Sequence, residues 1–136
     1  MASACSNYWK YSQLNLFAGK TFVAFLMQPG FTFNKATHME YADFSASECA
    51  TAGGYTKGTG LAMTVVAVTQ DDTGNRGLMT FADIAFTPTG ANISMCGAMI
   101  VDTTDDIVVG FEDALATVLI TDGQPYVITG PYVENV

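Results

Sequence analysis

Charged residues are scarce in this 136-residue chain, at 13% of the sequence, and basic residues are scarcer than acidic ones. The formal net charge is −8, from 13 acids and five bases. The bases lie far apart, at Lys10, Lys20, Lys35, Lys57 and Arg76. Binding a nucleic-acid backbone requires clustered Lys and Arg side chains that neutralise several phosphates. The sequence therefore predicts no direct contact with nucleic acid.

Cysteine and histidine are also rare. Cys5, Cys49 and Cys96 form no CxxC pair, and His38 is the only histidine. Since a structural zinc site needs four such ligands at short spacings, we expect reduced thiols and neither a metal nor a cofactor. No apolar run approaches the ~20 residues of a membrane helix, and no signal-peptide pattern opens the chain. We therefore expect synthesis in a reducing cytoplasm and no membrane partner.

Short apolar runs separated by Gly, Asp, Asn and Pro make up most of the remaining chain. Such regularly spaced runs are typical of an antiparallel β-sandwich or a jelly-roll-like fold, an all-β class. The turn at 71–75 predicts a hairpin between its two flanking strands. The predicted strands are 21–27, 61–69, 76–86, 93–101, 107–111, 117–121 and 126–128.

The helical signal is concentrated at the N-terminus, where 6–18 is broadly apolar. A helix that apolar must dock on the body of the chain or on a neighbouring subunit. The chain length fits one domain, which we divide into a helical arm at 1–18 and a β-sandwich at 19–136. A single helical turn near 45–50 is also predicted, because Ser45-Ala46-Ser47-Glu48 fits a capping box.

His38 is the candidate for acid–base catalysis, with Glu40 or Asp43 as the group that orients it. No nucleophile motif such as GxSxG accompanies it. A loop or interface histidine that hydrogen-bonds its backbone neighbours is the favoured interpretation. We therefore assign no catalytic residue and expect no enzyme.

Two other segments resemble ligand sites in part. Asp102, Asp105 and Asp106 are suitable ligands for calcium, but their spacing does not match an EF-hand loop, so we expect a solvated polar turn. The glycine-rich stretch 53–60 differs from a phosphate loop, because Lys57 precedes its glycine and a strand follows. We interpret it as a loop that crosses a sheet edge.

Aromatic residues make up 12% of the chain. Those in the arm and in the segment 31–44 are not easily assigned to one core, and exposed aromatic clusters mark protein interfaces. The predicted interface residues are Tyr8, Trp9, Tyr11, Leu14, Phe17, Phe31, Phe33 and Tyr41.

Several runs resemble a family of small structural proteins of tailed bacteriophages. They are THMEYADFSASE at 37–48 with GGYT at 53–56, and FADIAF at 81–86 with GAMIVD at 97–102. The N-terminal Trp/Tyr helix followed by a strand is similar too. The chain departs from the family at 99–101, where MIV replaces a strand end that bears a tyrosine. The resemblance implies a virion component without catalytic residues.

The expected role is capsid decoration: a β-sandwich that bridges subunits of the major capsid protein on the outer face of the virion. We expect this protein to associate with itself as a dimer or trimer. Two alternatives stay open. One is an adaptor of the tail or neck of the virion. The other is a receptor- or glycan-binding sandwich that uses Trp9 or exposed tyrosines, with calcium at the acidic turn.

Overall fold

The computed structural model describes residues 4–136, so the predicted arm at 1–18 begins outside the described residues. Its helices are α1 (Asn7–Asn15) and α2 (Tyr41–Phe44), and a 3-10 turn at Ser45–Ser47 continues α2. The strands are β1 (Phe22–Met27), β2 (Leu61–Met63), β3 (Val65–Asp71), β4 (Arg76–Phe81), β5 (Ile84–Phe86), β6 (Ile93–Asp102), β7 (Ile107–Ile120), β8 (Tyr126–Ile128) and β9 (Tyr132–Asn135).

The strands form three antiparallel sheets with the orders β2-β1-β6-β7, β3-β4-β9 and β5-β8. The main core lies between the four-stranded sheet and the two smaller ones. Phe22 and Leu26 of β1 pack there with Met79 and Phe81 of β4, and the rings of Phe22 and Phe81 meet edge to face at 5.2 Å. This architecture confirms the predicted antiparallel β-sandwich with a short N-terminal helix.

A second apolar layer covers the outer face of the four-stranded sheet. Phe25, Met27, Met99 and Val101 point to that side and are buried. The residues that cover them belong to 28–58, which we call the covering segment. Because β1 is buried on both faces, its sequence is a nearly continuous apolar run rather than an alternating one.

The covering segment is tied to the edges of the same sheet by backbone hydrogen bonds. The N–H of Cys49 donates to the carbonyl of Leu26 at 2.8 Å, and the N–H of Val108 donates to the carbonyl of Met39 at 2.8 Å. Gly60 follows the segment at φ +64°, where an added Cβ would lie 2.6 Å from Val23 Cγ1. Only glycine allows this close approach to β1, which fits a loop that crosses a sheet edge.

Two predicted strands are divided between different sheets. The run 61–69 breaks at Thr64 into β2, which pairs with β1, and β3, which pairs with β4. The run 76–86 breaks at 82–83 into β4 and β5. The hairpin itself is present, since Asp71 lies opposite Arg76 in the β3–β4 register. At Thr64 the chain crosses from the four-stranded sheet to the opposite layer, and at 82–83 it passes from one of the two smaller sheets of that layer to the other.

Two other predicted strands, at 107–111 and 117–121, are joined in the structure into the single strand β7. Its pairing with β6 jumps from Asp113 opposite Gly97 to Val118 opposite Met95, so the residues between them form a bulge. The long strand β6 continues past the bulge and keeps both halves paired.

The helical turn predicted near 45–50 is present as the 3-10 turn at Ser45–Ser47, which continues α2. The capping box belongs to Glu40 and Asp43, which bond each other's backbone N–H groups around α2. The prediction that Ser45 and Glu48 form this motif is wrong, because Glu48 is fully buried and bonds to other groups.

Candidate interaction surface

Helix α1 is docked on the body of its own chain, one of the two positions expected for it. Ser6 caps its start, with the Oγ accepting from the N–H of Trp9 at 3.2 Å. The helix crosses β4 at Gly77, where an added Cβ would lie 2.7 Å from the carbonyl oxygen of Lys10. The same carbonyl oxygen of Lys10 accepts a hydrogen bond from Asn135 Nδ2 at 3.3 Å. Glycine at position 77 therefore lets the helix backbone approach the sheet directly.

The predicted arm residues divide into two groups. Tyr11 and Leu14 are half-buried, and Leu14 packs against the main core. Tyr8, Trp9 and Phe17 keep 67%, 49% and 37% of their surface exposed. One side of the arm thus holds it on the sandwich, while the other presents large apolar side chains to solvent.

Leu16, which is not among the predicted interface residues, extends this exposed surface, with 71% of its area accessible. We call Tyr8, Trp9, Leu16 and Phe17 the arm surface. An apolar residue next to the predicted Phe17 was available as a signal. Nothing local indicates that Leu16 faces outwards, because α1 ends at Asn15 and the helical period stops there.

The predicted interface residues of the covering segment lie in a different environment. Phe31, Phe33 and Tyr41 are half-buried and pack against the second apolar layer. Phe31 and Phe33 contact Phe111 with ring centroids 5.5 and 5.8 Å apart, and Tyr41 lies 5.0 Å from Phe25. Their interface role stays a prediction, and the structure gives each ring a partner within the chain.

His38 lies in a loop, and its Nδ1 accepts a hydrogen bond from the N–H of Asn34 at 3.0 Å. This is the backbone contact predicted for a loop histidine. The imidazole also stacks against Phe31 and Phe33, with ring centroids 5.2 and 5.9 Å away. It therefore helps to pack the turn of the covering segment.

Asp43, one of the two groups considered as a partner of His38, bonds to backbone instead. Its Oδ2 accepts from the N–H groups of Met39 and Glu40 at 2.9 and 3.0 Å. These two hydrogen bonds lower the pKa of Asp43. The carboxylate is thus committed to the start of α2.

A buried carboxylate fixes the covering segment. Glu48 is fully buried and accepts hydrogen bonds from the hydroxyls of Tyr41 and Tyr55, both at 2.6 Å, and from the N–H of Gly58 at 3.0 Å. The oxygen of Tyr55 also accepts from the N–H of Leu26 in β1, at 3.0 Å. One carboxylate therefore links three parts of the segment and connects them to the sheet.

The environment of this network is reflected in its tyrosines. Burial and the hydrogen bond to Glu48 raise the pKa of Tyr41 to about 12. The same causes, in the same order, raise the pKa of Tyr55. Both phenols therefore stay protonated and serve as donors to the carboxylate. This geometry suits a rigid structural anchor.

The acidic turn, which contains Asp102, Asp105 and Asp106, has carboxylates that bond to three different groups. Asp105 pairs with Lys20 at 2.9 Å, and Asp106 accepts from the N–H of Tyr41 at 2.9 Å. Asp102 is only 1% exposed, so the prediction of a solvated turn is wrong at this position. Its Oδ1 accepts from the N–H of Thr104 at 2.9 Å, which closes the turn. The three acids do not converge on one point.

Within residues 4–136, no group of three His, Cys, Asp or Glu side chains is arranged to hold a metal ion. The three cysteines of that range are free thiols. None of the helices described is both long and apolar enough to cross a membrane. Comparisons with protein-family models, with curated proteins and with solved structures find no match.

Proposed function

We propose that this chain is a structural protein that packs against other protein surfaces, and that it decorates the capsid of a tailed bacteriophage. In this role it bridges subunits of the major capsid protein on the outer face of the virion. The observation that carries the proposal is the arm surface: Tyr8 and Trp9 on α1 and Leu16 and Phe17 just after it are large, apolar and exposed, and the helix is held in place at Gly77.

The physical basis is burial of apolar area. Each Å² removed from water contributes roughly 25 cal/mol, and Trp and Tyr are the residues that most often dominate protein interfaces. A rigid helix also loses little conformational freedom on binding. In a decorated shell, many weak contacts act together, and self-association as a dimer or trimer adds to this effect.

The resemblance to phage structural proteins supports the proposal through particular residues. The runs at 37–48 and 53–56 contain Tyr41, Glu48 and Tyr55, which form the buried anchor of the covering segment. These runs therefore correspond to a structural feature of the fold. The partner-binding surface is expected elsewhere, on the arm.

The test is binding to empty shells assembled from the major capsid protein of the same phage. We expect Trp9→Ala to weaken binding by about tenfold or more, as truncation of an interface aromatic does. Tyr132→Ala is the matched control, because Tyr132 is as exposed as Trp9, at 49%, but lies on β9. Tyr132→Ala should bind like the full chain. If Trp9→Ala and a chain lacking residues 1–18 also bind as tightly as the full chain, the arm is not the contact.

Copy number distinguishes decoration from a role in the tail or neck. A decoration protein is present in hundreds of copies per virion, whereas an adaptor forms a single ring. Quantitative mass spectrometry of purified virions measures this ratio against the major capsid protein. A copy number that fits a single ring would contradict capsid decoration and favour the tail or neck role. The arm surface would still be the proposed contact.

A further inference from the structure

A cavity of about 260 Å³ lies between the arm and the four-stranded sheet. Every residue that lines it is apolar apart from Asp102, at the end of β6. Phe22 and Met79 of this lining belong to the main core. The apolar lining includes Leu14, Phe17, Phe22, Met79, Ile107 and Val109.

Of the two carboxylate oxygens of Asp102, only Oδ1 accepts hydrogen bonds from residues 4–136. Its Oδ1 accepts from the N–H groups of Thr104 and Asp105, at 2.9 and 3.4 Å. Its Oδ2 is buried and has no hydrogen-bond partner among residues 4–136. Lys20 is the neighbouring base, but its ammonium bonds to Asp105. A buried, unpaired carboxylate oxygen is unfavourable unless a donor reaches it.

We propose that this cavity receives a lysine side chain of the partner protein, with its ammonium on Asp102 Oδ2 and its stem along the apolar lining. The inference rests on the proposed function, since the partner is the surface against which the chain packs. A cation is favoured because the acceptor is a carboxylate in a chain of net charge −8. An apolar stem is favoured because the rest of the lining is apolar.

Lysine fits this site better than arginine does. Arginine presents a planar fork that binds two acceptor oxygens together, whereas lysine carries a compact charge on a four-carbon stem. Only Oδ2 is available, because Oδ1 of Asp102 closes the turn. One free oxygen at an apolar cavity matches a single ammonium.

The rim of the cavity favours a lysine that is part of a protein. Phe17 and Ile107 line the cavity and are 37% and 44% exposed, and Leu16 beside them is 71% exposed. A protein surface around the lysine covers this apolar rim and excludes water from the ion pair. The ammonium reaches Oδ2 by displacing the Phe17 side chain, which lies beyond the end of α1 and is 37% exposed, so the helix itself stays in place.

The experiment is an NMR titration of the full chain with n-butylammonium, a mimic of the lysine side chain, and with 1-butanol as its neutral counterpart. We expect saturable shifts of the Ile107 and Val109 methyl groups. Butylammonium should bind at least about tenfold more tightly than butanol, because hydrogen bonds to a charged group are the stronger ones. No saturable shift, or equal affinities, would overturn the proposal.

Asp102→Asn tests the carboxylate, because asparagine keeps the Oδ1 acceptor that closes the turn. It should bring the two affinities to within about twofold of each other. Should this variant not fold, the comparison of the two ligands on the unaltered chain decides. Lys20→Gln should leave butylammonium binding unchanged. A gain of about tenfold in that variant would show that Lys20 occupies the cavity, and would overturn the proposal.

The source of the ammonium is tested with Nα-acetyl-lysine-N-methylamide and the corresponding arginine derivative. The lysine derivative should bind like butylammonium, and the arginine derivative about tenfold more weakly or worse. Binding of butylammonium without the lysine derivative would mean that the cavity takes free amines, which contradicts a partner lysine. These titrations use the isolated chain, so their failure is separate from failure to bind capsid shells.

Discussion

The arm and the covering segment are both rich in aromatic residues, and both were predicted to face a partner. The covering segment holds its rings against the sheet, where Tyr41 and Phe44 pack on Phe25. The arm leaves Tyr8 and Trp9 exposed. The two regions therefore differ in which surface already covers their aromatic side chains.

The difference arises from how each region is attached. The covering segment is fixed from inside by Glu48, whose side chain is fully buried and accepts hydrogen bonds from Tyr41 and Tyr55. The arm is attached through backbone contact at Gly77 and the half-buried side chain of Leu14. Asn7 and Lys10 add hydrogen bonds to Asp72 and Asn75. The large apolar side chains that α1 leaves exposed are those of Tyr8 and Trp9.

The largest effect should come from Glu48→Ala. It leaves the hydroxyls of Tyr41 and Tyr55 and the N–H of Gly58 without their acceptor, and we expect a loss of about 4 kcal/mol in the free energy of unfolding. Glu134→Ala is the control, since Glu134 is partly exposed and pairs with Arg76, and it should cost about 1 kcal/mol or less. Urea unfolding measures both. Equal losses would contradict a central role for Glu48.

Gly77→Ala should loosen the arm and leave the covering segment in place. The added Cβ overlaps the backbone of Lys10 and Tyr11 at 2.7 and 2.8 Å, so we expect a cost of about 2 kcal/mol. Trypsin should then cut after Lys10 faster than in the unaltered chain. Gly110→Ala is the control, because an added Cβ there meets nothing within 4 Å. Unchanged cleavage in Gly77→Ala would show that the arm is held elsewhere.

The smallest expected effect is the difference in stability between variants of Tyr41 and Tyr55, the two tyrosines that bond to Glu48. Tyr55→Phe should cost about 2 kcal/mol and Tyr41→Phe about 1 kcal/mol, because the Tyr55 oxygen also accepts from Leu26 and its side chain is more deeply buried. Thermal unfolding of the two variants gives the ratio. A larger loss for Tyr41→Phe would place the anchor nearer the surface than the structure does.

Local sequence predicts the strands whose ends are marked by turn residues. The hairpin around 71–75 and the strand β6 are examples, because Asp, Gly and Asn stop the apolar runs beside them. The corners at Thr64 and at 82–83 carry no Gly or Pro. At Thr64 the chain changes sheets because β2 pairs with β1 and β3 with β4, and at 82–83 because β4 pairs with β3 and β9 and β5 with β8. Such pairing is not visible locally.

Glu48 also has partners that the local sequence does not reveal. Glu48 stands three residues after Ser45 and fits a local capping motif, yet its hydrogen bonds reach Tyr55 and Gly58 further along the chain. Aromatic content likewise identified the arm and the covering segment as unusual. Which of them is exposed depends on the tertiary position of the second apolar layer.

The most direct test of an exposed arm that becomes covered by a partner uses Trp9, the only tryptophan of the chain. Acrylamide quenching of its fluorescence is measured on the free protein and on the protein bound to capsid shells. We predict efficient quenching in the free protein and strong protection in the bound state. Equal quenching in both states, with binding verified by sedimentation, would contradict the arm as the contact surface.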